Sequence, residues 1–224
     1  FFQTLIFHLF CHINKVRILY LYDRISEISM FEKIKEFEYQ ISKFTGAPFV
    51  VTTDCCTHAI ELCMILDNVK ECSFSAFTYL SILQTMHKLK IAYKLLDEKW
   101  TGEYHFHNTR IWDSARRLEP NMYRKGQLQC LSFGYTKPVD IGRGGAILLD
   151  SKEDYDTLRK MRYDGRDLDI SPWIEQIEFN IGYHYKLNPE ECIKGIKYLD
   201  QYIKAGRFDP LNVSYPDCRR VKIK

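Results

Sequence analysis

The sequence predicts an α/β domain with a mostly parallel sheet flanked by helices, and three observations lead there. Short apolar runs of strand length alternate with longer stretches whose apolar residues recur at helical spacing, the pattern of strands joined by helices. Of the 224 residues, 46% are hydrophobic and 27% charged, a balance that can bury a core and excludes global disorder. The length suits one domain or one with a small appendage, and no repeat, linker or low-complexity tract divides it. The 32 basic and 29 acidic residues leave a net charge of +3 with no long single-sign block, so charge gives no footprint for nucleic acid.

The elements follow in order. Residues 1–29 are aromatic-rich, but Gln3, His8, His12, Asn14, Lys15 and Arg17 break the apolar runs. This is well short of the ~20 apolar residues a membrane span needs. No basic stretch precedes the run and no small-residue cleavage site closes it, which argues against a signal peptide. Met30 directly precedes the first clean helix pattern and is an alternative start, so 1–29 is set apart as an upstream segment. From there Phe31, Ile34, Phe37, Ile41 and Phe44 fall on one helical face, and Gly46 stops the helix. Strands are expected at 49–52, 72–77, 91–96, 109–112, 128–133 and 145–149, and helices at 57–66, 79–89, 152–162 and 189–203. Ser151-x-x-Asp154 has the spacing of a capping box. The main domain is read as 30–205, and 206–224 as an irregular, basic, Pro-containing tail.

The eight cysteines, at 11, 55, 56, 63, 72, 130, 192 and 218, form no C-x-x-C pair. Cys55, Cys56 and His58 are too close together for a standard zinc motif, and no second ligand pair follows. The expectation is reduced, partly buried thiols in a cytoplasmic protein, with no metal.

Four features bear on chemistry. The turn Asp54-Cys55-Cys56-Thr57-His58 joins a strand to a helix, and such an N-terminus offers free amides and a positive dipole end to a phosphate. An N-capped helix that binds nothing has the same local sequence. Phe77-Thr78-Tyr79 closes one strand and opens a helix, so an aromatic there serves the core or stacks on a flat ligand. Asp113 closes the strand Ile111-Trp112, at the carboxyl edge where open α/β sheets place ligands; a helix N-cap is the alternative role. Finally, Ser132-Phe133-Gly134-Tyr135-Thr136-Lys137 precedes Gly142-Arg143-Gly144-Gly145. A lysine held there and partly desolvated can offer a neutral amine for imine formation, and the glycine pair admits close backbone approach.

In this order, the four features resemble the pyridoxal phosphate (PLP)-dependent aminotransferases of fold type I, and more narrowly the nucleotide-sugar aminotransferases of the DegT/StrS family. The resemblance runs from about Phe31 to Tyr202 through FEKIKEFEYQISKFTGAPFVVTTDCCTHAIEL, SAFTYLS, IWDSARRL, LSFGYTKPVDIGRGGAILLD, MRYDGR and GYHYKLNPEECIKGIKYLD. The Ser132–Gly145 run is its most specific piece. It implies that Lys137 carries the cofactor as a Schiff base and then serves as base and acid in the proton shift. Asp113 would keep the pyridine nitrogen protonated, and Tyr79 would stack on the ring. Cys56, Thr57 and Ser132 would bind the phosphate, Cys56 through its amide. Arg116 stands where the family has Gln or His near the phenolic oxygen. His184 stands where a partner-chain Asn reaches the phosphate, because the family site lies at a homodimer interface. The implied reaction moves an amino group, from a donor such as glutamate, onto a keto group of a nucleotide-linked sugar.

The chain departs from the family in three ways. Cys56 replaces the usual glycine of the phosphate turn. Only 16 positions separate Asp97 from Asp113, an interval that holds a further strand and helix in the family. Little follows the last helix where the family has a small domain that helps form the substrate pocket. These departures favour a competing expectation, a non-catalytic dimeric scaffold or binding module. A sugar dehydratase is disfavoured, since such relatives replace the lysine by His and this chain has Lys137. Deleting residues 1–29 is expected to leave a soluble protein that binds PLP, scored by sedimentation and visible absorbance. Loss of solubility would mean that this segment packs on the core.

Overall fold

The computed structural model describes residues 31–170, 173–212 and 215–223, so the segment 1–29 lies outside the described residues. The first described helix, α1, covers 31–45; Ile34, Phe37 and Ile41, spaced for one face, are fully buried. Gly46 ends it at φ +76°, its amide donating to the Ser42 carbonyl at 2.9 Å. Then β1 (Phe49–Thr53), α2 (Cys56–Leu66), β2 (Glu71–Ser75), α3 (Leu80–Leu89) and β3 (Ala92–Leu96) alternate as expected. They are followed by β4 (Tyr104–His105), β5 (Ile111–Asp113), β6 (Leu128–Ser132), β7 (Gly145–Leu149), α4 (Lys152–Met161) and α5 (Pro189–Ala205). Ser151 Oγ accepts from the Asp154 amide at 3.2 Å, the cap its spacing predicts. Asn188 and Glu191 form a full capping box at α5, with Pro189 in the first turn. Strand β4 is absent from the sequence reading because two residues leave no periodic signal.

Most strands run in one direction, as expected, but the sheet is mixed rather than purely parallel. Its order is β1-β7-β6-β5-β4, and β2 and β3 form a parallel pair beside it. The Ser73–His107 bridge links the two, with the His107 amide on the Ser73 carbonyl at 2.8 Å. Strands β1, β2, β3, β5 and β6 run one way, while β4 and β7 run against them. The reason lies in the connections. The β4–β5 and β6–β7 connections turn the chain back beside the strand it left, so these pairs are antiparallel, whereas the helix-free connection from β5 to β6 crosses over and leaves that pair parallel.

Alternation along β7 divides the core into two layers. Ile147 and Leu149 face the cluster made with α2, α3 and α4, whereas Ala146 and Leu148 face the cluster made with α1 and α5. The second layer is tight. A Cβ on Gly195 of α5 would lie 2.5 Å from the Phe37 ring of α1, so only glycine lets the two helices meet there.

A buried ion pair ties the second layer to the sheet. Arg162, just past α4, donates to Glu38 of α1 and to the Thr52 carbonyl at 2.8 Å. Glu38 also accepts from the Thr52 amide at 2.8 Å and its hydroxyl at 2.9 Å. Both side chains are nearly inaccessible, so losing one partner strands a charge. Arg162→Met is expected to cost about 3–5 kcal/mol in urea unfolding, and pairing it with Glu38→Met is expected to recover much of that loss. A single-variant cost below about 1 kcal/mol, the size of a surface pair, would refute the anchoring role.

Candidate active site

Four turns leave the same edge of the sheet, from the carboxyl ends of β1, β2, β5 and β6, and converge on one cavity of about 430 Å³. The shared strand direction is the cause, since strands running alike deliver their outgoing turns to one side. Of the eight residues singled out from the sequence, Cys56, Thr57, Tyr79, Asp113, Arg116, Ser132 and Lys137 line this cavity. His184 does not. It sits on the surface with most of its side chain exposed, and Nδ1 lies 3.1 Å from the Asp164 carboxylate.

The floor is the turn from β1 into α2. No side chain caps this helix, so its first amides stay open toward the cavity side. Thr57 Oγ1 lies 2.7 Å from Ser81 Oγ of α3, which fixes the hydroxyl. The turn lies directly against β7: a Cβ on Gly145 would be 2.6 Å from Cys55 C and from Cys56 N, so only glycine fits. Cys56 occupies the wall without obstructing it. Its Sγ points inward, 3.6 Å from the Cys130 carbonyl and 4.0 Å from Asp113 Oδ1, and burial pushes its thiol well up, keeping it neutral. On the outer side of the turn, Asp54 Oδ1 lies 2.6 Å from His58 Nδ1, and its Oδ2 accepts from Arg143 Nη2 at 3.0 Å. Burial lowers His58, but bonds to Asp54 and Cys55 more than offset this and raise it to about 9. The ligand atoms of Asp54, Cys55 and His58 lie within 4.8 Å of one another, yet Asp54 is already shared by two cationic partners.

Asp113 ends β5 and is almost fully buried. Its Oδ1 accepts from the Ala115 amide at 3.0 Å, an Asx turn that aims the carboxylate. Burial raises it above the ordinary carboxylate range, and the Ala115 amide and the Lys137 ammonium pull it partly back. Arg116, three residues on, is 8% exposed, and among the described residues no carboxylate forms an ion pair with it. Its contact is Tyr215, whose hydroxyl accepts from Nε at 3.4 Å.

Lys137 sits on a braced loop. The Ile141 amide donates to the Phe133 carbonyl at 3.0 Å, and Asp140 accepts from the Thr136 amide at 3.1 Å and the Gly142 amide at 2.9 Å. Thr136 takes φ +61°, a left-handed conformation that β-branched residues rarely adopt and that persists only where surroundings enforce it. The lysine is thus fixed at its root by strain and by a carboxylate bridging its loop. Ser132 Oγ accepts from the Gly134 amide at 3.4 Å beside it.

Two aromatic residues at the cavity escaped the sequence reading, Trp100 and Tyr215. Trp100 donates from Nε1 to the Phe77 carbonyl at 2.6 Å and stacks with Tyr215 at 6.0 Å between centroids. Neither has a motif around it; Tyr215 comes from the stretch read as a tail, and only folding brings it within reach of Arg116.

The fold is shared with known proteins. The DegT/DnrJ/EryC1/StrS aminotransferase family profile matches residues 21–98 and 121–204, more than half of the chain. The unmatched stretch between them, 99–120, holds most of the short interval before Asp113, and Asp113 and Arg116 themselves. No curated protein matches the sequence. Among solved structures, the chain is similar to the sugar aminotransferase CalS13 from Micromonospora echinospora, at 15% identity and a TM-score of 0.63, covering 77% of this chain and 61% of that one. It is similar to DesI, solved in the presence of its TDP-sugar product, at 18% and 0.63, covering 77% and 54%. It also resembles NtdA from Bacillus subtilis, solved with bound PMP, at 15% and 0.62, covering 77% and 48%. The chain therefore spans about half to three fifths of these proteins, and at such identities the likeness speaks to the fold alone. With the family profile matching well over half of the chain on both sides of the unmatched stretch, this chain belongs to the DegT/DnrJ/EryC1/StrS aminotransferase family.

Proposed function

We propose that this chain is the cofactor-binding body of a PLP-dependent aminotransferase that moves an amino group, from a donor such as glutamate, onto a keto group of a nucleotide-linked sugar. One observation carries the reading: a lysine, a buried carboxylate and an uncapped helix N-terminus line the same cavity. The residues fit PLP by charge and shape. Open amides at α2 suit its phosphate, the Asp113 carboxylate suits a ring N–H, and Arg116 has no carboxylate partner among the described residues. Support for the sugar substrate comes from the family and from its solved relatives, DesI with its TDP-sugar product above all.

PLP, when bound, supplies the electron sink that loosens a bond to hydrogen at the amino-bearing carbon. The chain's own groups do the rest. The amides of Cys56 and Thr57, with the Thr57 and Ser132 hydroxyls, hold the phosphate. Asp113 holds the proton on the ring nitrogen; its own burial, which disfavours the free carboxylate, makes that cationic partner stabilising. Tyr79 covers a ring face, and the Arg116 cation stabilises negative charge on the phenolic oxygen. The Lys137 amine would hold the cofactor and would take and return the proton at the substrate's amino-bearing carbon, from a loop that leaves it little freedom.

The functional unit in this reading is a homodimer. Trp173, Ile174, Ile177 and Ile181 present a run of exposed apolar side chains, Ile177 almost wholly to solvent, close in sequence to the exposed His184. A second copy seated there would cover them, and His184 of the partner subunit would complete the phosphate site. The cysteines of the described residues are all free, which suits a reducing, cytoplasmic setting. Among the described residues no helix is long and apolar enough to cross a membrane.

Adding PLP to the purified protein is expected to give a visible absorbance band that shifts on adding glutamate. Lys137→Ala should abolish the reducible covalent adduct, and an adduct that survives would remove Lys137 from its role. Absence of any band in the wild-type protein would favour a scaffold. Asp113→Asn should lower turnover at least tenfold while leaving the fold intact; near-normal turnover would refute the pairing with the ring nitrogen. The same change should stabilise the cofactor-free protein. Because burial raises Asp113 when folded, its ionisation above the unfolded value works against folding at neutral pH. The thermal midpoint of cofactor-free Asp113→Asn should therefore exceed wild type at pH 7 by about 2–4 °C per kcal/mol relieved, and the gap should close toward pH 4.

A further inference from the structure

The described part of the segment after α5, residues 206–212 and 215–223, brings Tyr215 to the wall of the cavity. Among the described residues it has no helix or strand beyond a single 3₁₀ turn at Cys218–Arg220, yet it is firmly attached. The Leu211 amide donates to the Arg116 carbonyl at 2.9 Å, and the Thr101 hydroxyl donates to Asn212 Oδ1 at 2.6 Å. The Cys218 amide donates to the Ala76 carbonyl at 2.9 Å, while its buried Sγ donates to the Thr78 carbonyl at 3.3 Å. Near Gly102 the segment comes so close that a Cβ would meet Pro210 Cβ at 2.7 Å. Anchored at both 211–212 and 218, it delivers Tyr215 to the cavity between Trp100 and Arg116.

Arg116 explains what Tyr215 is for. This guanidinium is nearly buried and lacks a carboxylate partner, and the side-chain contacts it makes among the described residues are the Tyr215 hydroxyl at 3.4 Å and the Tyr215 ring, 5.5 Å from Cζ to centroid. A buried cation without a counter-ion is costly unless an anionic ligand meets it, and its position then depends on whatever neighbour holds it. The hydroxyl contact is long, so the ring face, braced by Trp100, is the stronger restraint.

We infer that Tyr215 is a positioning residue that holds the Arg116 guanidinium against the cavity for an anionic oxygen of the bound ligand, and that the anchors at 210–212 and Cys218 place it there. The inference rests on the reading of the cavity as a PLP site, where that oxygen is the phenolic one. The segment is also tied to the short interval before Asp113, through Thr101 and Gly102.

The test is PLP titration of the full chain, followed by tryptophan fluorescence and by the visible band across pH. Tyr215→Ala should weaken PLP binding roughly fivefold to tenfold, the scale of a desolvated cation–π contact. It should also raise the pH midpoint of the visible band, because a cation held at the phenolic oxygen disfavours the protonated form. Tyr215→Phe, which keeps the ring, should restore both. In an Arg116→Gln background, Tyr215→Ala should add less than twofold. If Tyr215→Ala does not fold, Tyr215→Leu keeps the volume without the ring face and carries the same expectation. Wild-type affinity and an unchanged pH midpoint in the Ala or Leu variant would overturn the inference, as would full additivity with Arg116→Gln. A wild-type protein that binds no PLP would instead sink the reading of the cavity, which the variants leave untouched.

Discussion

Everything at the site depends on one close backbone contact, between Gly145 at the start of β7 and the Cys55–Cys56 peptide. A Cβ at Gly145 would sit 2.6 Å from two atoms of that peptide, so the turn into α2 rests on bare backbone. The contact fixes the floor of the cavity relative to β7, and β7 pairs with both β1 and β6. The loop carrying Lys137 leaves β6 and ends at Gly144, whose carbonyl accepts from the Phe133 amide at 2.9 Å. The helix N-terminus on one side and the lysine loop on the other are therefore set by the same few atoms. Strain at Thr136 and the two bonds to Asp140 finish the placement.

Two of the buried charge arrangements of this fold do different work. Glu38 and Arg162 satisfy each other and the Thr52 backbone, so their burial joins helix to sheet and leaves nothing over for a ligand. Asp113 and Arg116 are buried without each other as direct partners, each facing the same cavity. Such groups reduce stability in the empty protein and are stabilised by a ligand of opposite charge at each point. A cationic ring nitrogen and an anionic oxygen on one flat molecule meet both requirements at once. That pairing of demands is more selective than a lysine or a phosphate turn alone.

The departures from the family pattern are accommodated in ways that leave the cavity intact. Cys56 takes the place of glycine because its side chain turns inward, toward Cys130 and Asp113, while its amide stays with the helix terminus. The short interval between Asp97 and Asp113 contains β4, and the segment that carries Tyr215 packs on it at Thr101 and Gly102. The sheet stays continuous across the gap through the Ser73–His107 bridge.

Much of this was legible in the sequence because it is local. The face of α1, the cap at Ser151, the stop at Gly46 and the strand-to-helix turns at 54–57 and 77–80 are each decided by residues within one or two turns of one another. The order of Cys56, Thr57, Tyr79, Asp113, Ser132 and Lys137 was likewise readable, because each falls at the end of a strand that local patterning reveals. The tertiary structure decided what depends on distant pairing. It set β7 and β4 against the other strands, since direction follows from whether a connection crosses over. It left His184 on the surface, outside the cavity the other seven line. It brought Tyr215, 99 positions away in the chain, onto Arg116. Patterning records which face of an element is apolar, whereas such a contact is selected by shape and charge among many partners only once the chain has folded.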